Sequence, residues 1–329
     1  KIKRQLRSEA QKQAGRRTGR SLACVVGCWR GGACGMLPLD DAAAERARRS
    51  FDERGYAVVD HFLSRDHVAL LRRECDGLVK ASTSSWGRKR KARDDDDDDG
   101  ILACHGCIFE VLQSAHGDAA APCSLLRGDL SLAGFKSKRG AGPLLPQAAD
   151  LLTSAPFVRF LTLFLASGPK HLQDEAVVAE KEANEVEGPH YFNEQYIVKP
   201  AFGGTKSSFS WHRDSDWCFG DEDVTYKPYI SLWCPLDDCC EENGTLYVKK
   251  KKKNVPKEGK AESDSDDDDE VEAPLICNAG DCVVMSDRFL HRSGCNGSDE
   301  RRRVWMPQFS AGKLVRKSSG SPVSFAIQL

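Results

Sequence analysis

The chain has 329 residues, with 48 Lys or Arg against 49 Asp or Glu and a formal net charge of −1. That length buries a substantial core, in one large domain with insertions or in two small ones, and the charge balance lacks the basic excess of a dedicated nucleic-acid binder, so nucleic acid is not expected as a partner. The best apolar run, PFVRFLTLFLA at 156–166, is too short to cross a membrane and contains Arg159, so no membrane span is expected.

Residues 1–35 carry nine Lys or Arg and one acid, Glu9, and the first methionine is Met36. Such a segment reads as a targeting leader or as translated sequence upstream of the start, which assigns 1–36 to a basic leader and 37–329 to a single domain. From Asp40 the pattern turns helical, with Ala44, Ala47 and Phe51 on one face, and Gly55 ends it before the short strand YAVVDHFL. Ser64 is placed to cap the next helix, whose stripe is Val68, Leu71, Cys75 and Leu78. GRKRKARDDDDDDG (87–100) and KKKKKNVPKEGKAESDSDDDDEVE (249–272) switch from basic to acidic with too little apolar content to join a core, so charged disordered insertions are expected near 84–100 and 249–272.

Residues 101–142 are Gly-rich and ambiguous, and 144–166 reads as two helices divided near Ser154 to Pro156. From Tyr191 onward the runs are short and β-like, at 191–199, 207–213, 229–236, 244–248, 282–286, 302–310 and 321–328. Helices followed by many short strands predict an α+β domain whose β part is a sandwich or barrel. The 14 cysteines are scattered, with one C-x-x-C at Cys104 to Cys107 and no second pair at zinc-finger spacing. They read as reduced thiols of an intracellular protein, with the cytoplasm ahead of an organelle or the nucleus.

Chemistry enters at SFSWHRDSDW (208–217). In a strand ending at Asp214, alternation puts Ser208, Ser210, His212 and Asp214 on one face and Phe209 and Trp211 on the other. An H-x-D triplet also arises by chance, so the pair needs a third ligand to become a 2-His-1-carboxylate site. His291, in AGDCVVMSDRFLHRSGCN, is the candidate, with a structural histidine as its alternative. Arg302 then heads RRVWMPQFS, with Val304, Met306 and Gln308 on its face. An arginine pointing into a β pocket suits a bidentate carboxylate such as the distal one of 2-oxoglutarate. The alternative is a solvated triple arginine at 301–303, which also leaves the register open by one residue.

SWHRD, ISLWCPLDDCCEENGTLYV, AGDCVVMSDRFLHRSGCN and the later arginine, in that order, resemble the phytanoyl-CoA dioxygenase family of iron(II)- and 2-oxoglutarate-dependent oxygenases, and FDERGYAVVDHFLSRDHVALLRRECDGLV (51–79) is similar to its opening. The resemblance implies a double-stranded β-helix core, jelly-roll and cupin-like, with N-terminal helices packed outside. It implies His212, Asp214 and His291 as iron ligands and Arg302 as the clamp on the 2-oxoglutarate tail, assisted by Ser293, with Lys199 and Trp233 beside the cosubstrate. The implied reaction uses dioxygen, converts 2-oxoglutarate to succinate and carbon dioxide, and hydroxylates a small-molecule or lipid-derived substrate. Halogenating relatives carry a small residue where Asp214 stands, which points to hydroxylation. The resemblance breaks after NGTLYV (243–248), where a lysine run replaces the family's Pro-Gly-Ser-His corner. A protein or nucleic-acid hydroxylase of the same superfamily and a non-catalytic binding protein on the same scaffold stay open as alternatives; substrate identity and oligomeric state are not readable.

Overall fold

Helix α1 (Asp41–Arg54) begins where the Asp40 carboxylate accepts the Ala43 N–H at 2.6 Å, and ends at Gly55, whose φ of 79° lets its N–H close on Phe51 O. The computed structural model describes residues 40–89, 102–103, 106–110, 132–139, 144–165, 187–218, 220–251, 270–323 and 326–329. The basic segment 1–36, Cys104 of the C-x-x-C pair, and 90–100 and 252–269 of the charged tracts lie outside these residues. Strand β1 (Tyr56–Val59) follows α1, and the Ser64 hydroxyl accepts the His67 N–H at 3.2 Å to open α2 (Arg65–Lys89). The segment that reads as ambiguous holds β2 (Leu102–Ala103), β3 (Gly106–Glu110) and α3 (Leu132–Arg139). Pro146 starts α4 (Pro146–Leu152), and α5 (Ala155–Leu165) buries Phe157, Phe160, Leu161 and Phe164, one helical stripe. No single helix among the described residues is long and apolar enough to cross a membrane.

The strands are β4 (His190–Lys199), β5 (Phe209–His212), β6 (Val224–Thr225), β7 (Tyr229–Pro235), β8 (Leu246–Lys251), β9 (Glu270–Pro274), β10 (Cys282–Ser286), β11 (His291–Ser293), β12 (Arg302–Ser310), β13 (Val315–Arg316) and β14 (Ile327–Gln328). They pair antiparallel into a large sheet ordered β1-β10-β7-β12-β4-β3-β2, with β14 also on β4, a smaller sheet ordered β5-β11-β8-β9, and a separate two-stranded ribbon of β6 and β13. The result is α+β, with mixed helices and antiparallel sheets.

Period-2 alternation decides what each face of the large sheet meets. Ile230, Leu232, Val284, Trp305 and Phe309 join the aromatic stripe of α5 in one core. The intervening Trp233, Val283, Met285, Val304 and Met306 join Leu246 and Val248 of the small sheet in another. Buried on both faces, β7 is buried at every position. The central strands therefore present one row of side chains to the space between the sheets, where the site lies.

The charged tract around 249–272 is corrected at both ends. Lys249, Lys250 and Lys251 pair with Glu272, Val271 and Glu270 as the arms of the β8–β9 hairpin, and α2 likewise continues to Lys89. The opposite charges of Lys249 and Glu272 across the ladder suit strand pairing, which composition alone hides. Replacing residues 252–269 by an Asn-Gly turn is expected to keep the cooperative thermal melt, because the excised lysine and aspartate runs bring almost no apolar surface to a core. A broad, non-cooperative melt followed by circular dichroism would refute this.

Candidate functional site

β5 stops at His212, and Asp214 stands in the turn after it rather than on the strand face shared with Ser208, Ser210 and His212. Two bonds shape that turn: Arg213 N–H donates to the Asp216 carboxylate at 2.8 Å, and Ser215 N–H donates to Asp287 O at 2.9 Å. The expected facing of Phe209 is corrected too. His291 pairs with His212 but Ser293 pairs with Phe209, so β5 holds one extra residue, a bulge. It turns Phe209 into the same cavity as His212, while Trp211 stays outside, with the Arg292 guanidinium 5.7 Å from its ring centre.

His212 and His291 face each other across β5 and β11, with ring centres 4.4 Å apart. Their Nε2 atoms lie 3.7 and 3.6 Å from Asp214 Oδ1. Each Nδ1 lies against a backbone carbonyl, Ser210 O at 2.8 Å and Phe289 O at 2.9 Å. A carbonyl only accepts, so Nδ1 carries the proton and Nε2 turns its lone pair toward the shared point. Burial pushes the His291 pKa below the usual histidine range, against the opposing pull of Asp214. The neutral imidazole so favoured is the form a metal takes. Among the described residues this is the one cluster of His, Cys, Asp or Glu with the reach to hold a metal ion.

A chain of hydrogen bonds holds the carboxylate from behind. Glu194 N–H donates to Asn193 Oδ1 at 2.8 Å, Asn193 Nδ2 to Gln308 Oε1 at 2.9 Å, and Gln308 Nε2 to Ser231 Oγ at 2.9 Å; Ser231 Oγ in turn donates to Asp214 Oδ2. Oδ1 is thereby left to the histidine side. The Tyr229 hydroxyl donates to Asp214 O and accepts Trp217 Nε1–H at 3.1 Å. The sequence pattern does not single out Asn193 or Ser231, and it places Gln308 only by its face. Only Ser231 carries a signal, as a lone serine among the apolar and aromatic residues of β7.

Arg302 enters the other end of this cavity and is 1 % exposed. Its Nη2 donates to Gly244 O at 3.0 Å, while Nε and Nη1 have no hydrogen-bond partner among the described residues. The nearby Asp237 carboxylate is taken by Arg303, with Nε–Oδ2 and Nη2–Oδ1 both at 2.9 Å. A buried guanidinium with unmet donors calls for an anion with acceptor oxygens. Trp233, 2 % exposed, lines the cavity with its ring centre 5.7 Å from that guanidinium and also packs in the core between the sheets. Ser293 lines the cavity as well, but its hydroxyl accepts from Lys199 Nζ at 2.7 Å. Lys199 also donates to Gly294 O and stands behind the wall that Ser293 forms. The cavity measures about 490 Å³, with Arg213, Asp216 and Trp217 among its other lining residues.

Gly244 must be glycine twice over. Its φ is +84°, and an added Cβ would meet Gly294 O at 2.5 Å. Gly244→Ala is expected to destabilise the fold by roughly 1–3 kcal/mol, the range for a strained backbone position, read as a shifted midpoint in urea; an unchanged midpoint would count against this account.

The family model for phytanoyl-CoA dioxygenase (PhyH) matches residues 51–304. No curated protein matches the chain. Among solved structures, the chain is similar to the non-heme alpha ketoglutarate dependent carbocyclase SnoK from nogalamycin biosynthesis (14 % identity, 91 % of this chain and 100 % of that one, TM-score 0.49). It is similar also to the epimerase SnoN of the same biosynthesis (14 % identity, 86 % and 87 %, TM-score 0.47) and to EctD from S. alaskensis with 2-oxoglutarate and 5-hydroxyectoine (15 % identity, 87 % and 79 %, TM-score 0.47). With the family model spanning both histidines, Asp214 and Arg302, the chain belongs to the phytanoyl-CoA dioxygenase family.

Proposed function

We propose that this protein is an iron(II)- and 2-oxoglutarate-dependent dioxygenase that hydroxylates a small-molecule or lipid-derived substrate, and that its two sheets form a double-stranded β-helix. One observation carries the reading: a His-Asp-His cluster and a buried arginine with two unmet donors line a single cavity. The donor set suits iron(II), since two imidazoles and one carboxylate leave coordination positions open. The orphaned nitrogens of Arg302 suit the distal carboxylate of 2-oxoglutarate.

Bound iron(II), 2-oxoglutarate and dioxygen supply the oxidising chemistry, with succinate and carbon dioxide as the cosubstrate's products. The chain's own residues bind and orient. His212, Asp214 and His291 would hold the metal, their rings fixed by the Nδ1 bonds and the carboxylate by Ser231. Arg302 would fix the cosubstrate's far end over Trp233. Because Ser293 Oγ accepts from Lys199, its own proton is free to donate into the cavity. Ile197, Leu246 and Met306 form apolar wall around the site and exclude water. Two steps test the reading: anaerobic addition of 2-oxoglutarate to the iron(II)-loaded protein, watched for the chelate's charge-transfer absorbance, then a metabolite scan for substrate-dependent succinate. No absorbance change at saturating cosubstrate would reject it.

A further inference from the structure

Lys199 and Arg302 are direct partners across β4 and β12, exposed 0 % and 1 %. Among the described residues no carboxylate forms an ion pair with either. Two adjacent buried cations repel each other and lose hydration, and such a pair is relieved when one of them gives up its proton. Arginine does not do so in proteins, so the lysine must. Lys199 meets two acceptors, Ser293 Oγ and Gly294 O, which a neutral amine satisfies with its two N–H groups. Among the described residues the third proton of an ammonium finds no oxygen, only the face of Phe209, whose ring centre is 5.6 Å away.

The other groups facing the amine do not offset Arg302. Cys295 from the segment after β11 and Cys239 from the segment after β7 are thiols, and burial pushes the Cys239 pKa up to about 12, which keeps it neutral. Burial first, and then the Arg302 charge, push Lys199 down to about 6. An arriving carboxylate reverses this field: it pairs with Arg302 and adds negative charge one hydroxyl away from the amine, through Ser293.

We propose that 2-oxoglutarate binding draws one proton from solvent onto Lys199, so that the amine is neutral before the cosubstrate arrives and an ammonium afterwards. This rests on Arg302 and Ser293 forming the cosubstrate's anion site. In the balance, Lys199 Nζ gains one proton and its buffer loses one; no bond of the cosubstrate changes. The sign of the pH dependence follows by linkage. Below the empty-site pKa both states carry the proton, and affinity is flat. Above it, affinity falls about tenfold per pH unit until the pKa of the occupied site is reached.

The test is calorimetric titration of 2-oxoglutarate into the anaerobic, iron(II)-loaded full chain at pH 7.5, in buffers of different ionisation enthalpy. The expected slope of observed enthalpy against buffer enthalpy corresponds to uptake of about one proton per site. Lys199→Arg, which keeps a permanent charge, and Lys199→Met, which has none, are both expected to bind with zero slope and to lose the pH dependence of Kd. Binding by the wild type with zero slope overturns the inference and leaves the site reading standing. An unchanged slope in Lys199→Met overturns it as well. Absence of binding in the wild type, with iron shown to be present, overturns both.

Discussion

His291→Ala is expected to abolish turnover and to weaken iron(II) binding by more than the roughly 10- to 100-fold typical for loss of an outer-shell partner, since it removes a ligand itself. His212→Ala is expected to do the same to iron. The two differ in stability. The His291 side chain is 4 % exposed and that of His212 is 34 % exposed, so truncating the first leaves a hole beside Phe289, which stacks on it with ring planes 9° apart. Truncating the second leaves mostly solvent-filled space. Anaerobic calorimetry of iron(II) binding, paired with urea melts, separates the two effects. Wild-type iron affinity in both variants would mean that the metal lies elsewhere.

The carboxylate shows why part of the site was legible and part was not. Residue types at coarse spacing survive any local irregularity, so His212, Asp214, His291 and Arg302 come together whether or not Asp214 is on a strand. Alternation also sorts β12 correctly, sending Arg302, Met306 and Gln308 to the cavity and Trp305 and Phe309 to the helices, because a central strand packed on both faces has no freedom to slip. β5 has that freedom. It is short, lies at the edge of the small sheet, and takes a bulge that no composition announces. The lysines of β8 are strand because β9 pairs with them from beyond a gap of eighteen residues, a non-local cause. The hydrogen-bond chain through Asn193, Gln308 and Ser231 joins three strands distant in sequence, so it becomes visible only once their register is known.

Arg302 carries the sharpest quantitative expectation. Three arginines are adjacent, and the strand sends them to different fates. Arg303 turns outward to Asp237 and Asp76, and Arg301 reaches Asp76 at 3.5 Å on an exposed surface. Arg302 alone points inward, with its neighbours' acids out of reach. Arg302→Lys replaces a planar fork by a point charge that cannot meet a carboxylate with two parallel bonds. The expected loss of 2-oxoglutarate affinity is about 1.5–3 kcal/mol, the usual worth of a hydrogen bond to a charged group, or roughly 10- to 100-fold. Arg303→Lys breaks a bidentate, half-buried pair with Asp237, so it is expected to lower stability while leaving 2-oxoglutarate affinity within about twofold, well inside the 1.4 kcal/mol that marks a tenfold change. Arg301→Lys, at an exposed ion pair, is expected to change neither, since such pairs contribute about 0–1 kcal/mol. Titrating 2-oxoglutarate into the three iron(II)-loaded variants by charge-transfer absorbance, alongside urea midpoints, reads both quantities. A large loss of affinity in Arg303→Lys with none in Arg302→Lys would overturn the strand facing and, with it, the anion site at that end of the cavity.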